Sequence, residues 1–157
     1  MTTAAVLERF TGGPDSGLFT DGSSSGNPGP GGWGVVYVRE GEIVAERYGA
    51  DPHTTNNRME FTAIIEGLSM LAPQDAVDLY TDSRLAVDTL TKWAAGWEAR
   101  GWKRKDGEVK NLELVQRTYA LVKERPRARI LWIRAHDGAR WNEYADALAT
   151  AYLREQV

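Results

Sequence analysis

Three runs with strand-like alternation stand close together near the start of this chain, and from there helical and strand spacings take turns; that order constrains the fold more than any other feature. Leu18-Phe19-Thr20 is the first run, ending at Asp21. Gly22 to Gly32 follows as a turn rich in Gly, Ser and Pro, and Trp33 to Arg39 is the second run. Glu40-Gly41 makes a tight turn into the third, Ile43 to Tyr48, completing an antiparallel meander. Met59, Ala63, Ile64, Leu68 and Leu71 then recur with helical spacing, and Pro73 stops the helix. A fourth strand, Ala76 to Thr81, leads to a helix from Ser83 to Trp93. A helix from Leu112 to Val122, a fifth strand from Ile130 to Ile133 and a helix from Trp141 to Leu153 complete the chain. This order predicts an α/β fold with a five-stranded mixed sheet, three antiparallel strands followed by parallel ones, flanked by helices.

A chain of 157 residues with 42% apolar content can bury one core. Residues 1–17 lack periodicity and are expected to be a flexible tail ahead of a single domain spanning 18–157. With no cysteine, neither a disulfide nor a thiolate zinc site is available. The start of the chain has no basic lead or cleavage site, and no apolar run approaches the roughly 20 residues a membrane span needs. A cytoplasmic protein without a membrane partner is expected. The net charge of −3 argues against a globally basic nucleic-acid binder. The average hides a local patch: Lys92, Arg100, Lys103, Arg104, Lys105 and Lys110 against Glu98, Asp106 and Glu108 give the segment from Lys92 to Lys110 a charge of +3.

Two apolar strands end alike, at Phe19-Thr20-Asp21 and Tyr80-Thr81-Asp82. Ligands of open α/β sheets bind beyond the carboxyl ends of parallel strands, so the two aspartates can converge there. Singly, each acid has an ordinary role open to it: Asp82 as a helix N-cap, Asp21 as a turn residue, Glu60 within the capping-box-like Asn57-Arg58-Met59-Glu60. Asp146 fits such a role poorly, because it stands mid-helix among core-like neighbours, with Asn142 four residues earlier on its face. His136 follows the fifth strand in a loop at the same end of the sheet, and its unperturbed pKa near 6.5 suits proton transfer.

Taken together, Phe19-Thr20-Asp21-Gly22-Ser23, Gly26-Asn27-Pro28-Gly29-Pro30-Gly31-Gly32-Trp33-Gly34, Thr54-Thr55-Asn56-Asn57-Arg58-Met59-Glu60, Thr81-Asp82-Ser83, and His136 with Asn142-Glu143 and Asp146 resemble bacterial type 1 ribonuclease H. The cationic segment, with Trp93, Trp97, Gly101-Trp102-Lys103 and Lys110-Asn111, is similar to that family's basic protrusion, here about residues 92–111. The resemblance implies four catalytic, metal-ligating carboxylates on Asp21, Glu60, Asp82 and Asp146, with Asp21 bridging two ions, and a catalytic histidine on His136. It implies DNA-strand phosphate contacts at Thr55 and Asn56 and a contact near the RNA 2′-hydroxyl at Asn27. Further substrate contacts are expected at Trp97, Trp102, Lys103, Arg104, Lys105 and Asn142. This sequence departs from the family at Arg84, at Asp137 and at Arg140-Trp141.

Carboxylates and no cysteine suit Mg²⁺, two ions per site with substrate bound and Mn²⁺ a substitute. The implied activity is endonucleolytic hydrolysis of the RNA strand of an RNA–DNA hybrid, with little base specificity, leaving 5′-phosphate and 3′-hydroxyl ends. No obligate protein partner is expected, and the chain is read as a monomer. A non-catalytic hybrid-binding module would need none of the acids. A two-carboxylate glycosidase would leave Thr54 to Asn57 and the cationic patch without a role.

Overall fold

The computed structural model describes residues 1–104 and 107–157. Eight strand residues, Gly17–Ser24 (β1), pair antiparallel with Gly29–Arg39 (β2), which pairs antiparallel with Glu42–Thr54 (β3). On its other side β1 runs parallel to Asp78–Thr81 (β4), and β4 runs parallel to Arg129–Trp132 (β7). The sheet order is therefore β3-β2-β1-β4-β7, the five-stranded mixed sheet expected from the order of the runs.

Alternation of side chains across the strands divides the core into two layers. Leu18 and Val35 face one side and meet Phe61, Ile64 and Leu68 of α2 (Asn56–Leu68) and Val115 of α5 (Leu112–Glu124). Phe19, Val36 and Val38 face the other and meet Trp141, Tyr144 and Leu148 of α6 (Arg140–Ala149). A one-residue slip of β1 would exchange the two sets, so the register is strongly specified.

Several boundaries differ from those expected of the sequence. The glycine-rich stretch is mostly strand: β1 continues through Gly22 to Ser24, and β2 starts at Gly29. The expected tail is corrected in part, because Thr3–Arg9 forms a helix, α1, capped by Thr2 and packed on α6 through Val6. Only one of its residues is fully buried, so its seven residues carry no legible periodicity, and tertiary packing supplies its stability. The run from Ser83 to Trp93 begins as α3 (Arg84–Asp88), widens into a π-helical turn (Thr89–Trp93) and continues as α4 (Ala94–Ala99). Beyond α4, Lys103–Arg104 (β5) and Gly107–Glu108 (β6) pair antiparallel within the basic protrusion. Lys105 lies outside the described residues. The last helix ends at Ala149, with a 3-10 turn over Ala151–Leu153. Among the described residues, no helix is long and apolar enough to cross a membrane.

Candidate active site

Register brings the first two acids together. Thr20 and Thr81 are partners in the parallel β1–β4 ladder, so Asp21 and Asp82 each follow a paired residue at one end of the sheet. Neither takes the ordinary role open to it: Asp21 pairs with Gly34 inside the β1–β2 ladder, and the α3 cap is Ser83, whose hydroxyl accepts from the Ala86 N–H at 3.1 Å. Glu60 is likewise no capping-box acid. Thr55 caps α2, accepting from the Arg58 N–H at 3.2 Å, while Glu60 accepts a hydrogen bond from the Gly22 N–H in β1. That bond depends on close contact between strand and helix, since a Cβ on Gly22 would lie 2.2 Å from the Glu60 nitrogen.

The result is a compact anionic cluster in which carboxylate oxygens of Asp21, Glu60 and Asp82 all lie within 4.8 Å of one another. Asp21 and Glu60 are buried, and Asp82 is half-buried. Burial, reinforced by the charges of Glu60, Asp82 and Asp146, holds Asp21 well above the usual carboxylate range. Burial, then Asp82, pushes Glu60 up to about 8. Asp82 is raised as well, chiefly by burial. Among the described residues no lysine or arginine forms an ion pair with any of the three. Three close carboxylates that resist ionisation without a cation form an oxygen-donor set suited to a hard divalent ion.

Asp146 stands on α6 next to this cluster and acts on Asp21, and its carboxylate also groups with His136 and Glu143, again within 4.8 Å. His136 is exposed, has φ of 54°, and turns Nδ1 to Glu143 Oε1 at 3.8 Å. Glu143, raised mainly by burial, is thus the carboxylate that faces the ring. Glu143 is not among the site residues expected from sequence; its signal was the three-residue spacing to Asp146 on one helix face. Asn142 is buried.

Asn27 and Asn56 are exposed, and the Thr55 hydroxyl is engaged in its cap. Trp97 lines a groove with Trp93, Asn57, Arg100, Arg104 and Lys110. Trp93, Arg100 and Lys110 are not among the expected contacts; Trp93 closes the π turn, while Arg100 and Lys110 follow α4 and β6. Trp102 packs edge-on against Tyr119, with centroids 6.1 Å apart, which ties the protrusion to α5. Lys103 and Arg104 are exposed on β5. Arg84 lies 4.1 Å over the Trp132 ring, and the Trp132 indole N–H donates to the Asp82 carbonyl at 3.3 Å, an arrangement invisible in sequence because 48 positions separate the two side chains.

The RNase H family model matches residues 14–154 of this chain. A ribonuclease H of Agrobacterium fabrum is 50% identical over 133 residues, covering 84% of this chain and 90% of the relative. The chain belongs to the ribonuclease H family. Bacterial ribonucleases H are nearly 50% identical to it over most of its length, and it is a type 1 ribonuclease H enzyme. The crystal structure of LC9-RNase H1, a type 1 RNase H with the type 2 active-site motif, matches with a TM-score of 0.72 and 37% identity, covering 90% of this chain and 74% of that one. LC11-RNase H1, solved in complex with an RNA/DNA hybrid, matches with a TM-score of 0.65 and 27% identity over 87% of this chain and 98% of that one. In this ribonuclease H, the buried acids and the histidine loop lie at the same end of the parallel strands.

Proposed function

We propose that this ribonuclease H cleaves the RNA strand of RNA–DNA hybrids endonucleolytically, with two divalent ions held by Asp21, Glu60, Asp82 and Asp146, leaving 5′-phosphate and 3′-hydroxyl ends. The observation that carries the reading is the triad of carboxylates within 4.8 Å, two buried and one half-buried, drawn from three separate parts of the fold and unpaired with any lysine or arginine among the described residues. Mg²⁺ is the ion we assign, with Mn²⁺ a substitute; when bound, such ions neutralise phosphate charge and make a hydroxide nucleophile accessible near neutral pH.

The chain's own residues divide the remaining work. Asp21 is influenced by all three other acids and would be the ligand shared between the ions. Glu60 is held by the Gly22 N–H, so its carboxylate keeps one orientation at the bottom of the site. His136, exposed and facing Glu143, delivers a proton to the departing 3′-oxygen in this reading. Asn27 at the β1–β2 turn reads the RNA strand near its 2′-hydroxyl, and Asn142 on α6 supports the same strand. Thr55 and Asn56, at the N-terminus of α2, take a DNA-strand phosphate aided by the helix dipole. Trp97 and Trp102 shape the groove that Lys103, Arg104 and Lys105 make cationic. Contacts of this kind go to backbone and sugar, so base specificity is low. LC11-RNase H1 in complex with a hybrid is consistent with that substrate.

The test is cleavage of an end-labelled RNA–DNA hybrid beside duplex RNA, duplex DNA and single-stranded RNA, with Mg²⁺, Mn²⁺ or EDTA. Cutting of the hybrid alone, dependent on the metal, with fragments that a ligase joins without prior phosphorylation, is the expected result. Cutting in EDTA, or fragments carrying a 3′-phosphate, refutes the metal chemistry proposed.

A further inference from the structure

The α6 helix carries Asn142, Glu143 and Asp146, yet it begins without a side-chain cap: Ala139 at its N-cap makes no such bond. The first N–H groups of a helix need an acceptor from elsewhere. Here the segment following α1 supplies it. Gly12 bridges in parallel to Ala139, and the Gly12 carbonyl accepts from the Arg140 N–H at 2.9 Å. The Arg140 guanidinium reaches back to the Leu7 carbonyl at 3.3 Å. Gly13, at φ of 82°, lies so close that a Cβ would stand 2.8 Å from the Ala139 Cβ. Val6 is buried among Trp141, Tyr144 and Leu148, and the Thr3 N–H bonds to the Val157 carbonyl at 2.8 Å, so the segment is anchored at both ends.

Residues 1–13 lie outside the span matched by the family model. They nonetheless hold the two residues that close the His136 loop, since Gly138 and Ala139 follow His136 directly after Asp137. The loop leaves β7 at Trp132 and has positive φ at His136 and Gly138. Its far end is defined where Gly12 and Gly13 meet Ala139 and Arg140.

We infer that the N-terminal segment, α1 with Gly12-Gly13, is a positioning element for catalysis: by capping α6 at Arg140 it fixes where His136 stands against Glu143 and the acid cluster. Arg140 and Gly12 are positioning residues that touch no reacting atom. The inference rests on the proposed proton-delivery role of His136. Displacement of a catalytic group by about 1 Å can cost about 100-fold.

Arg140→Pro isolates the tether. Proline is tolerated at the first helical position, Ala139 already has the extended backbone a residue before proline takes, and the change removes the N–H given to Gly12. Arg140→Ala, which keeps that N–H, controls for the guanidinium. Steady-state cleavage of a hybrid is compared for each variant alone and combined with His136→Ala, with circular dichroism to establish folding. Arg140→Pro should lower kcat about tenfold with KM within about twofold, Arg140→Ala should lower it less, and neither should lower kcat further once His136 is alanine. Should Arg140→Pro not fold, Val6→Ala, which loosens α1 at its buried contact, makes the same comparison. An undiminished kcat, or a loss that persists in full in the His136→Ala background, overturns the inference. His136→Ala with unchanged kcat overturns instead the role assigned to the histidine, so the two failures are distinguishable.

Discussion

Asp21 carries the electrostatic tension of this molecule. Its folded-state pKa is raised by burial and by three neighbouring acids, so between its unfolded and folded values the native state holds a proton that the unfolded chain releases. Stability therefore falls as pH rises through that window in the absence of metal, the opposite of a salt-bridged carboxylate. Asp21→Asn removes the ionisation. It should abolish cleavage and, in EDTA at pH 8, raise the melting temperature by about 3–6 °C, corresponding to about 1–2 kcal/mol in a chain of this size. A variant that melts below wild type there shows that the cluster is not strained by its charge. At His136 the expectation differs, because the acids remain: alanine should slow turnover by about 10²–10⁴-fold while leaving KM near its original value. The presence of these residues was legible in sequence as paired Thr-Asp strand ends and a misplaced mid-helix acid. The spacing of Glu143 to Asp146 was legible, but its burial and the Arg84–Trp132 stack were not, since neither is a property of local sequence.

Elements turn these residues into a site by packing on one another. The approach of β1 to α2 at Gly22 aims Glu60, and Gly22→Ala tests it: with a Cβ 2.2 Å from backbone nitrogen the helix must move, since backbone cannot swing aside as a side-chain tip can. Activity should drop at least about tenfold and the melting temperature by about 5 °C or more, within the range for overpacking a core. Wild-type activity in that variant would mean that the Glu60 orientation is unimportant. This same closeness explains why a stretch with the composition of a turn is strand in the fold: glycines serve there as strand residues against which helices pack, and that demand comes from the neighbour, not the strand. The β5–β6 hairpin carries the proposed binding role. Replacing Lys103 and Arg104 by alanine should raise KM at moderate salt, leave kcat near wild type, and flatten the slope of log K against log salt by about 0.7–0.9 for each phosphate no longer neutralised. An unchanged salt slope would remove the hairpin from the substrate path.

For the molecule as a whole, metal and pH act on one equilibrium. With Glu60 raised to about 8 and Asp21 and Asp82 also raised, the metal-free protein should lose stability progressively from about pH 5 to pH 8. A divalent ion that binds the native cluster restores it. Thermal melts at both pH values, with and without saturating Mg²⁺, should give a rise of about 5–10 °C at pH 8 and a smaller one at pH 5, where protons compete with the ion. A melting temperature indifferent to Mg²⁺ at pH 8 counts against metal binding at these carboxylates.

The alternation of period-two and helical runs was enough to reach a five-stranded mixed sheet, because side-chain period depends on residues a few positions apart, and the acids at two strand ends were visible for the same reason. What depended on distance in sequence had to await the fold. The parallel register that sets Thr20 beside Thr81, the approach of α2 that gives Glu60 to Gly22, and the docking of α1 onto α6 join residues about 40 to 140 positions apart. Packing between elements decides those pairings, and with them which acids are buried, which ionise with difficulty, and where the histidine stands.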